Sequence, residues 1–181
     1  MSVILYWQAV LLASIVVFFA SAIVWMVMPW HKSDFQKVAD EDAAREALKG
    51  IKPGHYMIPH SIDPKDLEDD SKKQKFIDGP VAYFNVQEAG VPQMGPRLLK
   101  IFLFYVFVSS LCAYVLNFFG GDEASYLQKF QLTGTVAWAA YGLGHVQDSV
   151  WFAKPWSITV KNLFDALIYA LLTGGVFGWL A

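Results

Sequence analysis

Five polar side chains towards the C-terminal end carry the strongest hint of chemistry: His145, Asp148, Lys161, Asn162 and Asp165. Each lies in or beside a run that is otherwise apolar, where ionisable groups are costly to hold and are usually paired or functional. Counted inward from the short connection between the two runs, His145 and Asp165 reach a similar depth on antiparallel neighbours. That placement fits a proton-handling pair, or His145 as an axial ligand to a heme or chlorin. It also fits a structural clasp, in which Lys161 and Asp165 pair at i,i+4 and His145 bonds across the hairpin. The clasp is the favoured reading, because no second histidine lies in any apolar run and one histidine does not define a heme site.

His31, His55 and His60 form a second group, in a polar stretch rich in carboxylates. Histidine and carboxylate bind zinc and other divalent metals. Their spacing matches no ligand pattern, however, and no cysteine joins them, so no metal site and no cofactor is expected. The chain lacks a nucleotide-binding glycine loop, an HExxH helix, a GxSxG elbow and a CxxCH heme-attachment motif. A non-catalytic protein is therefore expected. Lys and Arg form no basic stripe and the net charge is −2, which argues against nucleic acid as a partner.

These side chains hang on four apolar segments. A hydrocarbon core about 30 Å thick takes roughly 20 apolar residues in a helix. Residues 3–29, 98–119, 129–150 and 156–180 meet that requirement, and most charges fall between Lys32 and Lys100. The expected fold is an all-α membrane protein of four transmembrane helices, with a small α+β polar insert at residues 30–97. Trp7, Trp25, Trp30, Trp151, Trp156 and Trp179 sit near span ends, as an interfacial aromatic belt requires. The first span reads as retained rather than as a cleaved signal peptide, since no basic residue precedes it and no small-residue cleavage site follows. Lys32, Lys37, Arg97 and Lys100 flank the insert, and Lys154 and Lys161 flank the last connection. Asp122 and Glu123 mark the connection between spans two and three. The positive-inside rule then places the insert in the cytoplasm and both termini in the periplasm.

Within the insert, Asp40 should cap a short helix that Gly50 ends, and Asp63-Pro64 should start another running to about residue 76. HYMIP (residues 55–59) and VAYFNV (residues 81–86) could pair as a two-stranded ribbon. In the spans, Ala166, Ala170, Gly174 and Gly178 recur every fourth residue, in line with Asn162. Gly134, Ala137, Ala140 and Gly144 offer a second ridge. Small residues at this spacing let helix backbones approach closely. The two ridges face each other within the chain, or one of them meets another subunit or a second copy.

Two stretches resemble a group of uncharacterised small bacterial membrane proteins. The first is PWHKSDF (residues 29–35), followed by DED and KPGHYMIPH (residues 52–60). The second is DSVWFAKPWSITVKNLFDALIYALLTGGVFGWL (residues 148–180). The resemblance implies a bacterial inner-membrane location and brings no activity with it. Together these readings point to an accessory or assembly subunit of a membrane complex, in contact with lipid and other subunits. A small transporter or a heme- or chlorin-binding protein using the His145–Asp165 region is the alternative.

Overall fold

The computed structural model describes residues 6–120 and 124–181. The first residues of the first expected span (3–5) and the Asp122–Glu123 pair lie outside them. The chain divides into two compact units, Met1–Phe35 with Gln93–Ala181, and Gln36–Pro92.

The first unit is helical. It holds α1 (Trp7–Met26), α4 (Met94–Phe119), α5 (Tyr126–Gly142), α6 (Gly144–Phe152) and α7 (Trp156–Leu180), with a 3-10 turn at Trp30–Ser33. Three of these helices, α1, α4 and α7, are long and apolar enough to cross a membrane. The expected third span, residues 129–150, is not one helix. It is divided at Leu143 into α5 and α6, of 17 and 9 residues. Gly142 and Gly144, both poor helix formers, flank the break, and the Val146 N–H bonds the Leu143 carbonyl three residues back, a local 3-10 tightening. A capping box of Ser125 and Gln128 starts α5, and Ala153 in the left-handed conformation (φ 53°) ends α6 just before Pro155.

The long helices touch in a closed cycle: α1 on α4, α4 on α5, α5 on α7, α7 on α1. The interior mixes small side chains with aromatics, among them Ala13, Val17, Tyr105, Cys112, Ala137, Tyr141, Ala170 and Phe177. Large apolar side chains such as Phe19, Ile23, Leu103, Phe107, Phe118, Val160, Phe164 and Leu171 point outward. An apolar exterior around a partly polar core is what a bilayer as solvent demands.

The α5–α7 seam is the most extensive contact between elements, and it answers the question of the ridges. A Cβ on Gly174 would stand 2.8 Å from the Phe130 carbonyl oxygen, and one on Gly134 would stand 3.5 Å from that of Ala170. Ala137, Ala166 and Ala170 are buried in the same seam. Ala140 and Gly144 are exposed and do not join it. At about 100° per residue they turn away from the face of Gly134, where Tyr141 and Gly142 take their place.

The second unit contains α2 (Glu41–Ala47), β1 (Gly54–Ile58), a 3-10 turn at Pro64–Glu68, α3 (Asp70–Asp78) and β2 (Ala82–Val86). The strands pair antiparallel with Gly54 opposite Val86 and Ile58 opposite Ala82. Asp40 caps α2 by accepting from the Ala43 N–H at 2.9 Å, and Gly50 has φ 82°. The helix expected from Asp63 onward is two pieces, because the Asp69 side chain accepts from the Ser71 N–H and caps a fresh start.

Candidate functional site

The Pro29–Asp34 segment folds back at the end of α1, and the 3-10 turn puts His31 and Asp34 three residues apart on one side. The His31 ring lies between two carboxylates. Nδ1 is 2.6 Å from Asp34 Oδ2, and Nε2 is 2.7 Å from Asp165 Oδ2 on α7. All three side chains are only 4% exposed. Two hydrogen bonds from one imidazole to two carboxylates need two protons, so either the ring is an imidazolium or one carboxyl is protonated. Trp25 covers the ring face to face, with centroids 4.0 Å apart and planes 4° from parallel.

Lys161, one turn before Asp165 on α7, completes the network. Its Nζ donates to Asp34 Oδ1 and to the Trp30 carbonyl, each at 2.6 Å, and to Ser33 Oγ at 2.9 Å. Burial opposes ionisation of Asp34. Hydrogen bonds from Lys161 and His31, reinforced by their charge, outweigh it and hold the carboxyl below its ordinary value of 3.8. With an imidazolium and two carboxylates, Lys161 brings the four groups to zero net charge.

Asp34 and Asp165 differ in one respect. Both oxygens of Asp34 are engaged, by Lys161 and His31. Asp165 Oδ1 is buried with no hydrogen-bond partner, and so is Trp30 Nε1. One turn deeper on α7 stands Tyr169, whose ring packs on Tyr105 of α4 and Tyr141 of α5 with centroids 6.3 and 6.0 Å away. The hydroxyls of Tyr169 and Tyr141 are likewise buried without partners.

The sequence grouped Lys161 and Asp165 with His145, and the structure gives both of them other partners. Asp165 bonds to His31 rather than His145, and Lys161 bonds to Asp34 rather than Asp165. His145 is half-buried on α6, and its backbone carbonyl accepts from Thr159 at 3.4 Å. The hairpin between α6 and α7 is joined instead by Ser149 and Thr159, 2.5 Å apart. Asp148 pairs with Lys154 at 3.5 Å, and Asn162 is buried on α7. His31 has both ring nitrogens committed, so it and His145 form no bis-histidine ligand pair.

His55 Nδ1 lies 2.8 Å from Asn85 Oδ1 across the ribbon, and His60 is exposed. No group of three or more His, Cys, Asp or Glu side chains among the described residues could hold a metal ion. A cavity of about 460 Å³ lies beside the end of α4 and the start of α5, lined by Phe119, Gln128, Gln131, Leu132, Thr135 and Val136; it contains no ionisable side chain. Comparison with known protein families, curated proteins and solved structures finds no match to this chain.

Proposed function

We propose that this chain is a non-catalytic, four-span membrane protein that serves as an accessory or assembly subunit of a larger membrane complex. In this reading α5 and α6 together make the third crossing, the membrane is the bacterial inner membrane, the Gln36–Pro92 unit is cytoplasmic and both termini are periplasmic. The charge bias of the flanking lysines supports that orientation.

The observation that carries the subunit reading is the state of the Gln36–Pro92 unit. None of its residues is buried, although it presents Ile62, Ile77 and Val91 at 80%, 67% and 92% exposure. A two-stranded ribbon is marginal in water without something packed on it. A polar unit that lacks a core but displays large aliphatic side chains has the surface of a protein made to be covered. Gly134, Ala137, Ala166, Ala170 and Gly174 pack in the α5–α7 seam within the chain, so they do not support this reading.

A photo-crosslinking side chain at position 62, activated in native membranes, should give one adduct of defined mass with a protein. The same probe at Arg45, on a polar surface, should give none. A position-62 probe that reacts only with lipid or water would contradict the subunit reading. An adduct of twice the chain mass would identify a second copy as the cover.

A further inference from the structure

We propose that Asp165 is a proton-binding site of the helical unit, reached through the His31–Asp34 turn and backed by a tyrosine-lined polar column in the bundle interior. Three observations converge on it. Asp165 is the one carboxylate within α1, α4, α5 and α7, and ionisable groups at such depth mark proton or ion pathways. Its Oδ1 has no hydrogen bond of ordinary geometry, although the indole of Trp30 lies close to the carboxyl, while its Oδ2 is held by His31. The column behind it is polar and buried: Tyr169 with Tyr105 and Tyr141, then Thr173, fully buried one turn further along α7.

One turn beyond Thr173 on α7 stands Phe177, fully buried and apolar, so the polar face of α7 ends there. Proton uptake forms an O–H bond on Asp165 Oδ1 as an O–H bond of hydronium breaks and water is released to solvent, while both N–H bonds of His31 stay in place. The centre then gains one positive charge, and the bond from His31 Nε2 loses the charge of its acceptor while keeping that of its donor, which weakens the hold of the turn on α7. Oδ1 is the acceptor because Asp34 has no free oxygen. The other groups that face Asp165 are His31 and Asp34 from the turn, with the Trp30 indole beside them, and Tyr169 on its own helix; Lys161 stands one turn away on α7, and Tyr105 of α4 and Tyr141 of α5 pack on Tyr169. His145 on α6 is within electrostatic reach, with Asp148 and Lys154 beside it.

Infrared difference spectroscopy of the full chain in phosphatidylcholine nanodiscs, stepped from alkaline to acid pH, tests this directly. The carbonyl band of a protonated, buried carboxylic acid should appear as pH falls and should shift when aspartate is ¹³C-labelled. The band should be lost in D165N and retained in D34N. Should D165N fail to fold, D165E decides: the band must move to the glutamate label. Absence of the band from the wild-type protein, or its persistence in folded D165N or under the aspartate label in D165E, would overturn the proposal.

Discussion

Two lysine–aspartate pairs of nearly equal length behave as opposites. Lys161 and Asp34 are 2.6 Å apart and 127 positions apart in sequence. Lys72 and Asp66 are 2.5 Å apart and six positions apart. Asp34 is 4% exposed, whereas Asp66 is 25% exposed and Lys72 is 46% exposed. The first pair sits in a network of four ionisable groups that ties the end of α1 to the start of α7. The second holds a 3-10 turn beside α3 and is surrounded by water. Contact distance alone therefore says little. What differs is how much solvent each pair has displaced and how much chain each closes.

The largest effect should come from emptying the centre of the buried network. His31→Ala leaves Asp34 and Asp165 buried without the ring between them, and breaking such an arrangement typically costs about 3–5 kcal/mol. Thermal unfolding of the purified protein, followed by circular dichroism, should show a correspondingly large fall in Tm. Gly174→Leu should rank next. Its Cβ alone would meet the Phe130 carbonyl at 2.8 Å, and overpacking of this kind costs about 1–3 kcal/mol. Because Gly174 packs on α5 of the same chain, the loss should appear in the isolated protein and not only in a complex.

The Asp34 end of the network also makes stability depend on pH. Asp34 is held below its ordinary 3.8 in the folded state, so its ionised form contributes stability that is fully present above that value. This contribution is lost as pH falls through the lower, folded value. Asp34→Asn should flatten that part of the pH–stability curve, measured as Tm against pH. The smallest effect belongs to the exposed pair: Lys72→Ala should leave the melting temperature of the whole chain unchanged within error.

The same contrast explains what the sequence could and could not disclose. Local signals were readable: the Asp40 cap, the HYMIP–VAYFNV ribbon and the apolar runs that became α1, α4 and α7. Lys161 and Asp165 stood out because charge is conspicuous in an apolar helix. Their partners did not, because pairing was sought in the neighbouring hairpin, where His145 is close in sequence. The missed signal was HKSD at the end of the first span. Charge bias at the span ends put it on the same side as the start of the last one, which made His31 and Asp34 available to Lys161 and Asp165. The break at Leu143 was also legible in its flanking glycines, but the apolar run around it reads as continuous. Ala140 and Gly144 were assigned to a ridge by counting small residues in steps of three and four, which drifts off a face that turns every 3.6 residues.

A double-mutant cycle on His31 and Asp165 tests the central claim most directly, since alanine at either position removes their shared bond without adding a new one. The stabilities of His31→Ala, Asp165→Ala and the double variant should be measured by reversible unfolding in the same detergent. A coupling of about 1–3 kcal/mol, with the double variant far less impaired than the sum of the singles, is the result expected of a buried pair in one network. Additive losses, with coupling near zero, would contradict it and would mean that the turn at Trp30–Ser33 and α7 are held together by something other than this histidine between two carboxylates.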